Sequence, residues 1–320
     1  MRFQWPRRLR FGFGLLLAFL VSALVMPWLL PDPQEILDPR QVGLLPPFAS
    51  VFVVSMQDGT TLAASQMVTR DGELQIFRLG AWQTLEPSRV ARVGKRFFLL
   101  GTDSLGRDVA ARLATAGQTS LAVGFLALGL ALVLGVGLGL MAGLGPPWLE
   151  QALMAFVDAA LALPVLFVLL AFGAFLRPSL LSVVLFLGAT FWMGVARLTR
   201  GQVLQIREQP WFAAAKGLGL HPLRLGLVHI LPNLAAPVAQ DATLRLGDLI
   251  LIEASLSFLG FGVPPPIPSW GNMAAEGFEV WRLAWWLPIF PGLAVAATVL
   301  AFALIADGIG ELARGQETRA

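Results

Sequence analysis

Long apolar stretches alternate with shorter polar segments along most of this chain. A helix of about 20 residues crosses the hydrocarbon core of a bilayer, and six stretches reach or approach that length. The pattern therefore predicts an all-α integral membrane protein with six transmembrane helices. The predicted spans are Phe11–Leu30, Ser120–Met141, Ala152–Leu176, Leu180–Ala196, Leu234–Phe261 and Trp285–Ala306.

The composition agrees with a membrane protein and excludes several kinds of chemistry. Hydrophobic residues make up 56% of the chain and charged residues only 13%, with a mean hydropathy of +0.72. A soluble domain has about a quarter charged residues. The chain contains no cysteine, so it has no disulfide, thiolate metal site or cysteine nucleophile. Its net charge of +3 is small and does not indicate nucleic-acid binding.

Basic residues cluster in two segments next to predicted spans. Excess Lys and Arg beside spans is typical of cytoplasmic segments, so we expect the N-terminus and residues 197–232 in the cytoplasm. An even number of spans then places the C-terminus there too. The alternative for residues 1–30, a cleaved signal peptide, is disfavoured because the apolar stretch is long and no A-x-A site follows. The basic residues are Arg2, Arg7, Arg8, Arg10, Arg197, Arg200, Arg207, Lys216 and Arg224.

By this topology, residues 31–98 form a small extracytoplasmic insertion. Between residues 49 and 86, short runs of Val, Phe, Thr and Ile are separated by Asp58-Gly59, Asp71-Gly72 and Gly80. These turn signals predict a β meander.

A helix along the outer membrane surface is predicted for residues 99–119, with Asp103 or Ser104 as its cap. Asp103/Arg107 and Asp108/Arg112 have i, i+4 spacing. We interpret their charges as a solvated face rather than a substrate contact.

Residues 210–219 predict a short helix in the polar segment between the fourth and fifth spans. Pro210 suits a first helical turn, and Gly219 suits the left-handed position after the last turn. Pro222 can then start a second short helix. A basic helical pair between spans indicates a soluble partner that acts on it.

Within the predicted spans, Gly135, Gly139 and Gly143 have the small-xxx-small spacing that permits close helix packing. Charged residues are costly in the membrane unless paired or hydrated. Those of the fifth span share largely one face, and the sequence leaves open whether they form a structural ion cluster or a hydrated translocation surface. The residues with this ambiguity are Asp158, Asp241, Arg245, Asp248, Glu253 and Asp307.

Several catalytic motifs are missing from the sequence. The chain has no G-x-x-x-x-G-K-[ST] phosphate loop and therefore no evident nucleotide site or cofactor of its own. Its two histidines, His221 and His229, lie outside the spans, and it has neither an H-E-x-x-H nor a G-x-S-x-G motif. A membrane-embedded enzyme is thus poorly supported.

From Leu99 to Gly308 the chain resembles the inner-membrane permeases of binding-protein-dependent ATP-binding-cassette importers of the peptide and nickel type. Residues 213–219 are similar to the family's E-A-A-x-x-x-G signature, although Ala213 replaces its Glu. Residues 307–315 keep only part of the family's charged ending. The other matching segments are Leu100–Val109, Leu163-Pro164, His229–Asn233, Glu253–Gly262, Pro264–Gly271 and Trp285–Leu293.

The resemblance implies a five-helix permease core over residues 120–308, preceded by one extra span and followed by a cytoplasmic tail, residues 309–320. It implies a second permease subunit, two cytoplasmic ATPase subunits that use ATP, and an extracytoplasmic binding protein. Peptides are the first choice of cargo, ahead of nickel or other small solutes; a membrane enzyme and a passive channel or scaffold are the alternatives. The residues implied to couple to the ATPases are Trp211, Ala213, Ala214, Ala215, Gly219, His221, Leu231 and Pro232.

Overall fold

A computed structural model describes residues 6–70, 73–164, 168, 178–221 and 224–317 of the chain. Long helices dominate, and a group of short strands lies between the first and the second long helix. The helices are α1 (Arg7–Leu29), α2 (Pro39–Val42), α3 (Val109–Leu144), α4 (Pro147–Leu161), α5 (Leu180–Arg207), α6 (Pro210–Gly217), α7 (Leu231–Phe258), α8 (Trp270–Glu279) and α9 (Trp286–Glu317). The strands are β1 (Ala49–Met56), β2 (Thr61–Ala64), β3 (Gln66–Arg70), β4 (Glu73–Arg78), β5 (Ala81–Leu85) and β6 (Val90–Phe98).

The strands confirm the predicted β-rich insertion and divide it into two three-stranded antiparallel sheets, ordered β2-β1-β6 and β3-β4-β5. Gly59 and Gly80 have φ angles of 85° and 81°, as turns between strands require. The predicted turn at residues 71 and 72 lies outside the described residues. Val54 and Ile76 come from different sheets and pack in one buried cluster.

Residues 99–119 do not form a separate surface helix, and that prediction is wrong. Asp108 caps α3 by accepting hydrogen bonds from the backbone N–H groups of Ala110 and Ala111 at 2.8 and 3.1 Å. The helix is 36 residues long and ends at Leu144, and no proline interrupts it. At 1.5 Å per residue, α3 is about 54 Å long.

Glycines bring α3 and α5 into close contact. A Cβ atom placed on Gly135, Gly139 or Gly143 would lie 2.5 to 2.6 Å from a side-chain carbon of α5. The residue numbers of the glycines on α3 and of the residues that face them on α5 increase in the same direction, so the two helices run parallel. The chain between Leu144 and Leu180 therefore returns from one end of the bundle to the other. The facing residues are Val195, Thr199 and Val203.

Two further contacts orient the other long helices. Gly308 of α9 lies against Leu9 of α1, and Gly310 lies against Gln240 near the start of α7. Helix α9 is thus antiparallel to both α1 and α7. One end of the bundle, which we call the α6 end, contains the starts of α1 and α7 and the ends of α3, α5 and α9. The strands and α8 lie at the other end, which we call the sheet end.

Four helices of the described part of the chain are long and apolar enough to span a membrane: α1, α3, α5, and α9 as far as Leu312. The fifth predicted span corresponds to α7, whose charged residues lower its hydropathy. The third predicted span is interrupted, because α4 ends at Leu161 and Pro164 follows; residues 165–167 and 169–177 lie outside the described residues. The number of six spans stays a prediction.

Candidate coupling surface and polar sites

A buried aromatic side chain anchors helix α6 to the bundle. Pro210 occupies the first turn of α6, and Phe212 is buried with only 7% of its surface exposed. Phe212 contacts an apolar cluster contributed by the end of α5, by the residues before α7 and by the first turn of α7. Phe212 therefore links α6 to both long helices. The buried members of the cluster are Val203, Ile206, Phe212, Leu225, Ile230 and Leu234.

Gly219 ends the helical segment in the predicted conformation. Its φ angle is 76°, in the left-handed region that glycine adopts without a steric penalty. Its N–H group donates to the Lys216 carbonyl at 3.0 Å, and that of Leu218 donates to Ala214 at 3.1 Å. These bonds satisfy carbonyl groups of the last turn.

The predicted coupling residues do not all share one surface. Ala213 and Ala214 are exposed, whereas Ala215 is half-buried and packs against the apolar cluster around Phe212. A partner can therefore contact the first two alanines, and Ala215 mainly serves packing within the chain. Of the remaining residues, Trp211 is half-buried, and Gly219, His221, Leu231 and Pro232 are exposed.

The predicted second short helix is instead the beginning of α7. Pro222 lies outside the described residues, but from Arg224 the chain is helical and passes through a π-helical turn, Leu225–Ile230, into α7. Pro232 lies in the first turn of α7, directly after the π-helical turn. This segment is thus continuous with a long helix.

Large apolar side chains are exposed around α6. Leu218 is the extreme case, with 82% of its surface exposed. Such a patch on a protein surface marks an interaction site or a lipid contact. The other exposed apolar residues of this region are Leu227, Val228 and Leu231.

Of the polar residues proposed from the sequence, Asp158 and Asp307 belong to ion pairs between helices near the α6 end. Asp158 of α4 pairs with Arg197 of α5, with both side chains more than half exposed. Asp307 of α9 pairs with Arg8 of α1 at 3.2 Å, also exposed. These contacts give both carboxylates a structural role.

The face shared by the charged residues of α7 divides into a paired and an unpaired part. The Arg245 guanidinium donates to the Asp241 carboxylate one turn earlier, and it packs against Gly194 of α5. Asp248 is exposed and has no ion-pair partner among the described residues. This trio therefore carries a net charge of −1.

Glu253 is fully buried where α7 meets α3 and α8. Ser257 donates its hydroxyl hydrogen to one Glu253 oxygen at 2.7 Å, and the hydroxyl groups of Ser120 and Ser269 face the same carboxyl group. Each of the three serines also accepts a backbone N–H. Glu253 thus organises this junction and is not on an open surface. The three N–H donors belong to Val263, Trp270 and Asn272.

Four charged residues at the sheet end form a network, and the predicted solvated face is wrong. Asp103 and Arg112 are each 3% exposed. Arg112 donates to Asp103 at 2.6 Å and to both oxygens of Glu276 at 2.7 and 3.1 Å. Arg107 also contacts both acids, at 2.7 and 3.0 Å. The network joins α3 to α8.

Glu276 had no signal in the sequence, because its partners lie more than 160 positions away. The Gly-Thr-Asp-Ser-Leu-Gly-Arg-Asp segment, residues 101–108, was the available clue to the other three residues. A second unforeseen contact is made by Thr102, which accepts a hydrogen bond from Leu45 at 2.8 Å and donates one to Val42. These bonds attach α3 to the chain before β1.

A family profile, binding-protein-dependent transport system inner membrane component, matches residues 135–313. The chain belongs to this family. The match covers the last turns of α3, all of α4, α5, α6, α7 and α8, and most of α9, so the α6 segment and the charged face of α7 both lie inside it. Neither the β sheets nor α1 is part of the match.

Several individual relatives of this chain are named as transport permeases. This chain is 38% identical over 225 residues to a di/tripeptide transport system permease protein of Pseudomonas aeruginosa, and the aligned region covers 70% of this chain and 74% of the relative. It is 37% identical over 209 residues to a dipeptide transport system permease protein of Alkalihalophilus pseudofirmus, covering 65% and 69%. A putative peptide transport system permease protein of Brucella suis is 36% identical over 243 residues, covering 73% and 81%.

The fold of the inner-membrane component is also that of a solved transporter. An inward-facing structure of the MetNI methionine ABC transporter superposes with a TM-score of 0.51 at 17% identity, covering 62% of this chain and 96% of the other. This likeness supports the fold. The family assignment favours a transport subunit over a membrane-embedded enzyme or a passive channel.

Proposed function

We propose that this chain is a permease subunit of an ATP-driven importer and that its cargo is a short peptide. The observation that carries the cargo assignment is the identity of 36 to 38% with three permeases named for peptides, over about two thirds of the chain or more. The chain contains no phosphate loop, so ATP is used by partner subunits.

The proposed complex contains this chain, a second permease, two cytoplasmic ATPase subunits and an extracytoplasmic binding protein. Helix α6 is the proposed contact with an ATPase subunit, through the exposed Ala213 and Ala214 and the neighbouring Leu218. Closure of the ATPases pushes α6, and Phe212 transfers that movement to the apolar cluster shared by α5 and α7. Long packed helices then move as rigid bodies and open one gate while closing the other.

The test of this coupling is a substitution on the exposed face of α6. Ala214→Arg adds bulk and charge where a partner docks, while arginine retains a high helix propensity. In the reconstituted complex with binding protein and a dipeptide, we expect stimulated ATP hydrolysis and uptake to fall at least tenfold. Ala214→Ser is the matched control and should behave like the unmodified complex. Unchanged rates with Ala214→Arg would remove α6 from the ATPase interface.

We further propose that the α6 end faces the cytoplasm and the β sheets face outside. The excess of basic residues beside the spans supports this orientation. Thr60→Cys, in the insertion, should react with an impermeant thiol reagent only from outside, and Glu208→Cys, an exposed position before α6, only from inside. Because the chain has no cysteine of its own, each label reports one position. Reversed labelling would overturn the orientation. The supporting residues are Arg7, Arg8, Arg10, Arg197, Arg200, Arg207, Lys216 and Arg224.

A further inference from the structure

One face of α7 is left uncovered by the described part of the chain. Its exposed residues recur at spacings of four and three, which is the repeat of a single helix face. Other sides of α7 are packed, for example where Gly124 of α3 contacts Ile250 and where Gly247 faces Val299 of α9. The uncovered face consists of Leu244, Asp248, Leu251, Ser255 and Phe258.

Asp248 is the single charged residue on that uncovered face. Arg245 is the nearest cation along the helix, but its guanidinium is bound to Asp241 and packed on Gly194. The described residues of α3, α5, α8 and α9 provide no ion-pair partner for Asp248 either. An unpaired carboxylate within a membrane helix is strongly unfavourable in lipid, so in the assembled complex this face meets water or a cation.

An apolar cavity of about 480 Å³ opens beside the same face, toward the sheet end. Leu251, Ser255 and Phe258 of α7 line it together with Trp270 of α8 and Pro291 of α9. This volume lies within the range of small-molecule sites. Ser255 lies seven residues beyond Asp248, a helix rise of about 10 Å. The cavity and the carboxylate are thus within the length of one extended short peptide.

We propose that Asp248 binds the positively charged amino terminus of the cargo as the peptide passes along α7, while the adjacent cavity receives an apolar side chain. This inference rests on the proposed peptide cargo. The amino terminus is the cation that all unmodified peptides share whatever their side chains, so a single carboxylate here serves a broad range of peptides. The rival occupant is a cationic side chain of the second permease.

The first test compares uptake of dialanine by reconstituted complexes in which Asp248 is changed. Asp248→Asn should lower uptake at least tenfold, and Asp248→Glu should recover most of it. ATP hydrolysis stimulated by loaded binding protein should stay unchanged, because Asp248 lies far from α6. Asp307→Asn, which alters an exposed paired carboxylate at the α6 end, is the control and should transport normally.

Three other outcomes of this test would contradict the proposal or the peptide cargo on which it rests. Normal uptake by Asp248→Asn would overturn the proposal. Loss of the second permease from purified Asp248→Asn complex would assign the residue to the subunit interface and equally overturn it. If the unmodified complex does not transport dialanine at all, the peptide cargo is wrong, which is a separate failure of the proposed function.

The second test uses the absence of cysteine in this chain. Asp248→Cys in the assembled complex should react with the cationic reagent methanethiosulfonate ethylammonium, and dialanine with loaded binding protein should slow that reaction at least fivefold during ATP turnover. Leu126→Cys, an exposed apolar position on α3, should remain unreactive in lipid. An unreactive cysteine at position 248, or one whose reaction the peptide does not slow, would contradict a position in the cargo pathway.

Discussion

The close contact between α3 and α5 predicts that Gly139→Ala destabilises the protein. A Cβ atom at Gly139 would lie 2.5 Å from the Thr199 Cβ and 2.7 Å from the Ala196 carbonyl oxygen. Carbon atoms prefer separations of about 3.5–4.0 Å, so the two helices must move apart by about 1 Å. Adding a methyl group to such a packed site costs about 1–3 kcal/mol.

Gly137 provides a matched control on the same helix. A Cβ atom there would meet no atom within 4 Å, so Gly137→Ala adds helix propensity without a clash. That change is worth up to about 1 kcal/mol in favour of the folded state. The two variants have the same composition and gain the same helix propensity, so we expect their free energies of unfolding to differ by the packing cost of about 1–3 kcal/mol.

Thermal unfolding of the two purified variants in the same detergent measures this difference. Gly139→Ala should unfold several degrees below the unmodified protein, and Gly137→Ala at or slightly above it. If both variants unfold at the same temperature, α3 and α5 do not meet along these glycines. The parallel arrangement of the two helices, and the return of the chain between them, would then be wrong.

Two further predictions concern the buried polar groups of the sheet end. Arg112→Ala leaves Asp103 and Glu276 without their main partner and should cost about 3 kcal/mol, measured as loss of thermal stability; Arg112→Lys should cost less, and equal stability of both variants would contradict the network. Ser257→Ala removes the donor to Glu253 and should cost about 1–3 kcal/mol, whereas Ser255→Ala, whose exposed hydroxyl bonds only within its own helix, should change thermal stability little. Equal effects of the two serine variants would show that Glu253 is not held by Ser257.

Much of the fold could be predicted from local sequence. Apolar stretches predict membrane helices because lipid leaves backbone groups no partner other than the helix itself, and α1, α3, α5 and α9 are such helices. Some turns require a residue with a left-handed backbone, which glycine adopts most readily, so Gly59 and Gly219 indicate turns without information from the rest of the fold. The same is true of Pro210 at the first turn of α6. Motifs along the chain carried the family resemblance, which the family profile confirms.

The candidate sites depended on which helices meet, and the sequence does not contain that information in local form. An i, i+4 pair is compatible with solvent or with burial, and it is Arg112 of α3 and Glu276 of α8 that make the pair at Asp103 and Arg107 part of a buried network. Likewise, Ala215 differs from Ala214 only because its side chain turns toward the cluster around Phe212.

The charged face of α7 shows the same limit. Its sequence places Asp241, Arg245 and Asp248 on one side of a helix, because the helical repeat alone determines that. Which acid takes the single arginine, and which stays unpaired, follows from Arg245 packing on Gly194 of α5. Glu253, five residues beyond Asp248, is buried where α7 meets α3 and α8, with hydroxyl groups of three serines around its carboxyl group. Local spacing therefore determines the helix face, whereas tertiary packing determines whether each charge on that helix is paired, buried or left exposed.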